Sequence, residues 1–132
     1  MLALADLCRY IQEKTDIGEG ISAGVFDDKL RHGIGVFDNN QRTGTRMALG
    51  GAACTRYYTQ NVSVLVHWGE TQREAAQKAQ EIFDLFYGVS DVHIEGAHIA
   101  FFAPSAPQWL GLTEDKVYEY VVPVEIYINK EE

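Results

Sequence analysis

The chain has 132 residues, of which 46% are hydrophobic and 23% are charged, and its formal net charge is −8 at pH 7. This balance is typical of one globular domain, and the interrupted apolar residues at the N-terminus are too few to span a membrane. The negative charge argues against direct recognition of nucleic acids, because phosphate binding depends on clustered Lys and Arg.

The first predicted element is an amphipathic helix over residues 2–14, with Cys8 on its apolar face. We expect Cys8 to be a buried free thiol. The other cysteine, Cys54, does not form a CxxC pair with it, and no signal-peptide pattern precedes the helix. We therefore expect a reducing compartment.

Two short strands are predicted after a turn at residues 15–20, one over 21–26 and one over 33–38. The charged residues 27–32 between them are predicted to form the tip of a hairpin. The following segment, residues 39–53, is polar and longer than the connections of about 4–6 residues that compact domains favour. Such a loop either has a function or is simply solvated, and the sequence leaves both readings open.

The centre of the fold is predicted where the hydrophobic period changes. Residues 58–68 alternate as a strand, and residues 70–88 then follow a helical period. Thr71 and Glu74 have the spacing of a capping box, and Gly88 is placed for a left-handed C-cap. The face of this helix that should pack on the sheet carries Ala75, Ala79, Ile82, Phe83 and Phe86.

The C-terminal third is predicted to contain strands at 92–94 and 98–103, then an irregular crossing in which Trp109 and Leu110 pack against the sheet. A closing strand alternates from Tyr118 to Ile128. Its Pro123 lacks an N–H, so we expect this strand to lie at an edge or to bulge there.

The predicted order is therefore α-β-β-β-α-β-β. It indicates one α+β domain over residues 1–132, in which two helices pack on one face of a mostly antiparallel or mixed sheet.

Candidate catalytic and metal-binding patterns are weak. His93, Glu95 and His98 could share a metal, but the sequence has no Pro-Cys-x-x-Cys after the His-x-Glu pair, as zinc deaminases require. Polar residues of a solvent-facing hairpin are the favoured reading. Gly33 and Gly35 lack the third glycine and the helix of a dinucleotide loop. We therefore expect no catalytic residue, no cofactor and no metal.

Several segments in a fixed order carry a family resemblance. They are GIGVF at 33–37, YTQNVSVLVHWG at 58–69, EAAQKAQEI at 74–82, PQWLG at 107–111, and the closing strand from YEY at 118–120 to Ile126. With the N-terminal helix and the polar loop, they cover nearly the whole chain. In this order they resemble the minor capsid and tail-terminator (tail-completion) proteins of long-tailed bacteriophages and prophages.

This resemblance implies a structural virion protein, not an enzyme. It implies a subunit of a ring, usually a hexamer, that caps the finished tail tube and offers a surface to the head. The implied partners are other copies of the chain, the tail tube protein, and a head–tail connector or head-completion protein. DNA would pass through the acidic ring without specific binding, and the protein would be assembled in the bacterial cytoplasm and reside in the virion.

Other classes remain open from the sequence. Another head–tail joining or tube component would share the fold but contact different partners, and a small ligand-binding domain or enzyme would need a polar pocket. For a ring, we expect subunit contacts through the charged tip and the polar loop, which should become ordered on assembly. The candidate contact residues are Asp27, Asp28, Lys29, Arg31, Arg42 and Arg46.

Overall fold

The computed structural model describes residues 2–26, 29–38 and 57–129. In chain order its elements are α1 (Leu4–Lys14), β1 (Ile21–Ala23), β2 (His32–Asp38), β3 (Tyr57–Trp68), α2 (Gln72–Phe86), β4 (Ser90–Ile94), β5 (Ala97–Pro104), β6 (Gln108–Leu112) and β7 (Tyr118–Asn129). The predicted loop 39–53 and the residues Asp27, Asp28, Arg42, Arg46 and Cys54 lie outside the described ranges.

The strands form one mixed, mostly antiparallel sheet in the order β1-β2-β3-β7-β5-β4, with β6 pairing with β7 beside β5. The predicted α+β class is confirmed, and so is the order of one helix, three strands and a second helix followed by strands. After α2 the structure has four strands, two more than the predicted order. The long pair of β3 and β7 lies at the centre, where twelve residues of each strand are in register from Tyr57 opposite Asn129 to Trp68 opposite Tyr118.

The predicted hairpin between the first two strands is wrong. β1 runs parallel to β2, with Ile21 opposite Ile34, so the chain must cross back before it enters β2. Phe26 packs against the sheet in this crossing, where Gly33 and Gly35 have no side chain to block it. A Cβ atom added to either glycine would come within 3.1 Å of the Phe26 ring. The two glycines therefore make room for packing.

Both helices pack on the same face of the sheet. Their contact includes Tyr10 of α1, whose ring stacks on Phe86 of α2 at 6.2 Å between centroids. Cys8 is buried as predicted. No helix within the described ranges has the length and apolar composition needed to cross a membrane. The residues that α1 and α2 bury are Leu7, Cys8, Ile11, Ala75, Lys78, Ala79, Ile82 and Phe86.

Helix α2 begins and ends as predicted. The Thr71 hydroxyl accepts a hydrogen bond of 3.2 Å from the N–H of Glu74, and Gly88 has the left-handed φ of 76°. Two side chains differ from the prediction. Phe83 is only half-buried, whereas Lys78, which is not among the residues predicted to face the sheet, is buried with its Nζ atom 5.0 Å from the centre of the Trp68 ring.

The prediction that the closing strand lies at an edge or bulges at Pro123 is also wrong. β7 is central, and Pro123 is in register with Ser63 of β3. Its carbonyl accepts a hydrogen bond from the N–H of Ser105, on the side where β5 ends and β6 has not yet begun. The missing N–H therefore faces a gap between two partner strands, where a proline leaves no ladder bond unmade.

Candidate assembly surface

The β6 strand carries a group of exposed apolar side chains. Trp109, Leu110 and Leu112 are 49%, 54% and 49% exposed. The Trp109 ring packs edge-on against Tyr120 of β7, with 5.3 Å between centroids, and contacts Tyr118 of the same strand at 5.9 Å. The prediction that Trp109 and Leu110 pack against the sheet is confirmed only for Trp109, which packs on two tyrosines of β7 and stays half exposed. Leu110 is exposed, because β6 lies at the margin of the sheet.

The backbone of β6 is an open edge within the part of the chain that the structure describes. It pairs with β7 and has no second neighbour there. Leu110 is an extra residue between Trp109 and Gly111, where the register shifts, and Gly111 adopts a φ of 133°. Sequence reasoning missed this strand because Pro107 and Gly111 indicated an irregular segment. The signal that could have revealed it is the apolar run of residues 109–112.

The strand path ends at β1 and at β4, so β6 is a third open edge in the described residues. The exposed side chains of β4 are polar, namely Ser90, Asp91 and His93, whereas the edge formed by β1 is apolar. In the described residues β1 pairs with β2 alone, and Val25, which follows it, is 72% exposed. Long apolar edges tend to pair with other chains, so soluble proteins usually shorten, charge or cover them. Two apolar edges on different sides of one sheet therefore mark two candidate contact surfaces.

His67 of β3 contacts two residues of the crossing between β1 and β2, namely Phe26 and Leu30. Its Nε2 atom lies 2.7 Å from the carbonyl oxygen of Leu30, and its Nδ1 atom lies 2.7 Å from Oε2 of Glu119. The Phe26 ring packs against the imidazole, with 4.9 Å between centroids. These contacts hold the β1 side of the molecule against the central strands.

Arg31, a predicted subunit contact, makes several contacts within its own chain. Its Nε atom lies 3.2 Å from Oε1 of Glu70, and its Nη1 donates to the carbonyl of Asp115 at 3.1 Å. Arg31 therefore ties the crossing to the turn between β6 and β7. Lys29 is exposed beside it. Contact of Lys29 and Arg31 with another subunit remains a prediction.

The side chains first considered for a metal do not converge. The His93 and His98 rings stack face to face, with 4.4 Å between centroids and 2° between the ring planes. The Glu95 carboxylate instead accepts a hydrogen bond of 2.9 Å from the Arg9 guanidinium. His98 is held from both sides, by Asp91 at 2.5 Å and by the side-chain amide of Asn129 at 2.9 Å. Among the described residues, no three His, Cys, Asp or Glu side chains are grouped to hold a metal ion.

Comparison with known proteins agrees with the resemblance of the sequence. No curated protein matches the chain. The family described as bacteriophage tail terminator protein matches residues 10–130, which include every strand of the sheet. This family consists of structural phage tail proteins and is not a known family of enzymes. Since the match covers nearly the whole sequence, the chain belongs to the bacteriophage tail terminator family.

Proposed function

We propose that this structural protein of the phage tail is the subunit of a ring, a hexamer, that caps the finished tail tube. The ring stops growth of the tube and offers a surface for joining to the head. Family membership over residues 10–130 is the observation that carries this proposal. The two open apolar edges of the sheet support it, since one subunit has to contact two neighbours in a ring.

The proposed partners are neighbouring copies of the chain, the tail tube protein, and a head–tail connector or head-completion protein. The net charge of −8 suits a channel through which DNA passes without specific binding, because like charges repel. The ring is assembled in the host cytoplasm and stays in the virion at the junction of head and tail. We assign its subunit contacts to Asp27, Asp28, Lys29, Arg31, Arg42 and Arg46.

The test is tail assembly with and without the protein, followed by electron microscopy. Tubes assembled without it should vary in length and fail to join heads. Purified protein added during assembly should give tubes of one length, with a ring at the head-proximal end. Tubes of normal length in its absence would contradict the proposal. Labelled protein found along the tube wall, or on heads before joining, would indicate a tube or head-completion component instead.

A further inference from the structure

A single row of residues crosses five strands from the β1 edge to the β6 edge. Ile21 of β1 is opposite Ile34, Ile34 is opposite Val66, Val66 is opposite Tyr120, and Tyr120 is opposite Trp109 of β6. All five side chains lie on the face that carries the helices, because paired residues point to the same side of a sheet. Ile21 at the β1 edge and Trp109 at the β6 edge therefore lie at the same height along the strand direction.

At the β1 edge, the backbone groups of Ile21 point outward. The Gly20 carbonyl accepts from the N–H of Ile34, and the N–H of Gly24 donates to Val36. Alternate residues of a strand bond to the same side, so residues 20, 22 and 24 face β2. The N–H and C=O groups of Ile21 and Ala23 must face away from β2.

At the β6 edge, the backbone groups of Trp109 point outward as well. The carbonyls of Val117 and Pro123 accept from Thr113 and Ser105, so odd-numbered residues of β7 bond toward β5 and β6. Gln108 is opposite Val121 and forms the hydrogen-bonded pair with it. Its neighbour Trp109 therefore presents its N–H and C=O on the open side.

The directions of the two edge strands are opposite. β1 is parallel to β2, and β2 and β7 are both antiparallel to β3, so β1 and β7 run the same way. β6 is antiparallel to β7. A second copy can be placed by rotation about an axis roughly parallel to the strands. Its strands then run in the same directions as those of the first copy, and its helices stay on the same side of the sheet. The β1 strand of the second copy is therefore antiparallel to β6 of the first copy. The row of residues that ends at Trp109 in one copy continues at Ile21 in the next.

We propose that β6 of one subunit pairs with β1 of a second copy, with Trp109 opposite Ile21, and that this pairing is the junction between neighbours in the ring. The inference rests on the proposed function. The two edges are different surfaces, so the contact is heterologous, and such contacts repeat around a closed ring. The pairing would cover Val25 and the apolar side chains of β6.

The charges at one end of the proposed junction are complementary. Lys29 lies three residues before β2, in the crossing that follows β1. Glu114 and Asp115 stand in the turn between β6 and β7 at the same end of the sheet, and all three side chains are exposed. When β1 meets β6, the positive charge of one copy faces the negative charges of the next, which favours a second copy as the partner.

Disulfide trapping tests the register. With Trp109 opposite Ile21, Ser22 falls opposite Gln108 as a pair without mutual backbone hydrogen bonds, where Cα atoms are about 4.5 Å apart. Within one subunit the same residues are separated by four strand spacings, about 19 Å, too far for a disulfide. Ser22→Cys and Gln108→Cys are introduced separately into a Cys54→Ser background. Cys8 is kept, because burial raises the pKa of its thiol and leaves it unreactive.

The expected result is a cross-linked dimer when the two single variants are mixed and oxidised, and none with either variant alone. The double variant should give a ladder of oligomers, in purified protein and on capped tails. Cross-linking of either single variant with itself would overturn the inference. Rings that form without any cross-link would overturn the pairing and leave the proposed ring intact. Absence of rings in solution and on tails would overturn the proposed function too.

A second pair of variants tests the same edge without cysteines. Trp109→Glu should prevent ring formation, because it places a charge in the middle of the proposed junction. Tyr87→Glu is the matched control, since Tyr87 is 67% exposed but lies at the end of α2 and belongs to neither β1 nor β6. Circular dichroism should show both variants folded. Rings of Trp109→Glu as abundant as those of Tyr87→Glu would contradict the proposal.

Discussion

His67 and Glu119 share a hydrogen bond of 2.7 Å on the sheet face opposite the helices. The other ring nitrogen of His67 faces the carbonyl of Leu30, which only accepts, so that nitrogen must carry a proton. Because His67 is 1% exposed, this arrangement holds the crossing after β1 to the central strands.

We expect His67→Phe to lower the free energy of unfolding by about 1–3 kcal/mol. The substitution keeps a ring beside Phe26 but leaves the Leu30 carbonyl and the Glu119 carboxylate without their donor. Thermal or urea unfolding measures the change. His93→Phe is the control, because its ring is exposed on the β4–β5 hairpin and should change stability by less than about 0.5 kcal/mol. Equal losses in the two variants would contradict this role of His67.

The core face of α2 gives a second prediction. Phe86 has no exposed surface, so Phe86→Ala should cost about 3–5 kcal/mol through lost burial and a cavity. Phe83 was also predicted to pack on the sheet, but it is only half-buried, so Phe83→Ala should cost clearly less. Urea unfolding of the two variants makes the comparison. A greater loss from Phe83→Ala would show that the packing of α2 is misplaced.

Periodicity was sufficient for the parts of the fold in which local and tertiary preferences agree. The alternation in β3 and β7 placed each side chain on its observed face, and the Thr71 cap fixed the start of α2. Periodicity could not predict the contacts made by Lys78. The side chain is buried because its Nζ donates to the Thr15 hydroxyl at 3.0 Å, far away in sequence, and lies 5.0 Å from the centre of the Trp68 ring.

Strand pairing and the candidate surface were harder to predict from the sequence. The parallel pairing of β1 depends on Phe26 packing over two glycines, a contact that alternation does not reveal. Pro123 suggested an edge, because the gap between β5 and β6 is a tertiary feature. The apolar side chains of β6 were expected to be covered, since a single chain gives no sign of which apolar residues remain for a partner.

The pair of Lys78 and Glu81 predicts a pH dependence of stability. The hydrogen bond of 2.5 Å from Lys78 holds the pKa of Glu81 below its ordinary value of 4.5. A carboxyl whose pKa is lower in the folded state stabilises the fold above its unfolded pKa, and this stabilisation is lost as the pH falls through the folded pKa. Glu81 is about half exposed, so solvent screening makes the effect small.

The expected outcome is that Glu81→Gln loses less thermal stability than wild type when the pH is lowered from neutral to below 4.5. Lys78→Met, which keeps an unbranched stem beside Trp68, should remove the same part of the pH dependence. Melting curves across this range compare the three proteins. An unchanged pH profile in both variants would mean that the ion pair does not act on stability.

The last prediction concerns Arg42 and Arg46, which lie outside the described ranges. Residues 39–56 contain three arginines and no acidic residue, in a chain whose net charge is −8. A guanidinium group pairs with a carboxylate through two hydrogen bonds, so these side chains suit an acidic neighbouring subunit. A single exposed ion pair contributes about 0.2–1 kcal/mol, but a ring repeats the contact at every interface.

Arg42→Glu combined with Arg46→Glu should therefore leave the subunit folded and prevent ring closure and tail capping. The control is Arg73→Glu, which makes the same charge change at an exposed position of α2 and should leave both processes intact. Circular dichroism checks the fold, and counts of rings and capped tails by electron microscopy measure assembly. Capped tails in normal number would show that the ring contacts do not involve these arginines. They would leave the β1–β6 pairing to be decided by its own cross-links, because that pairing is argued from β1 and β6 alone.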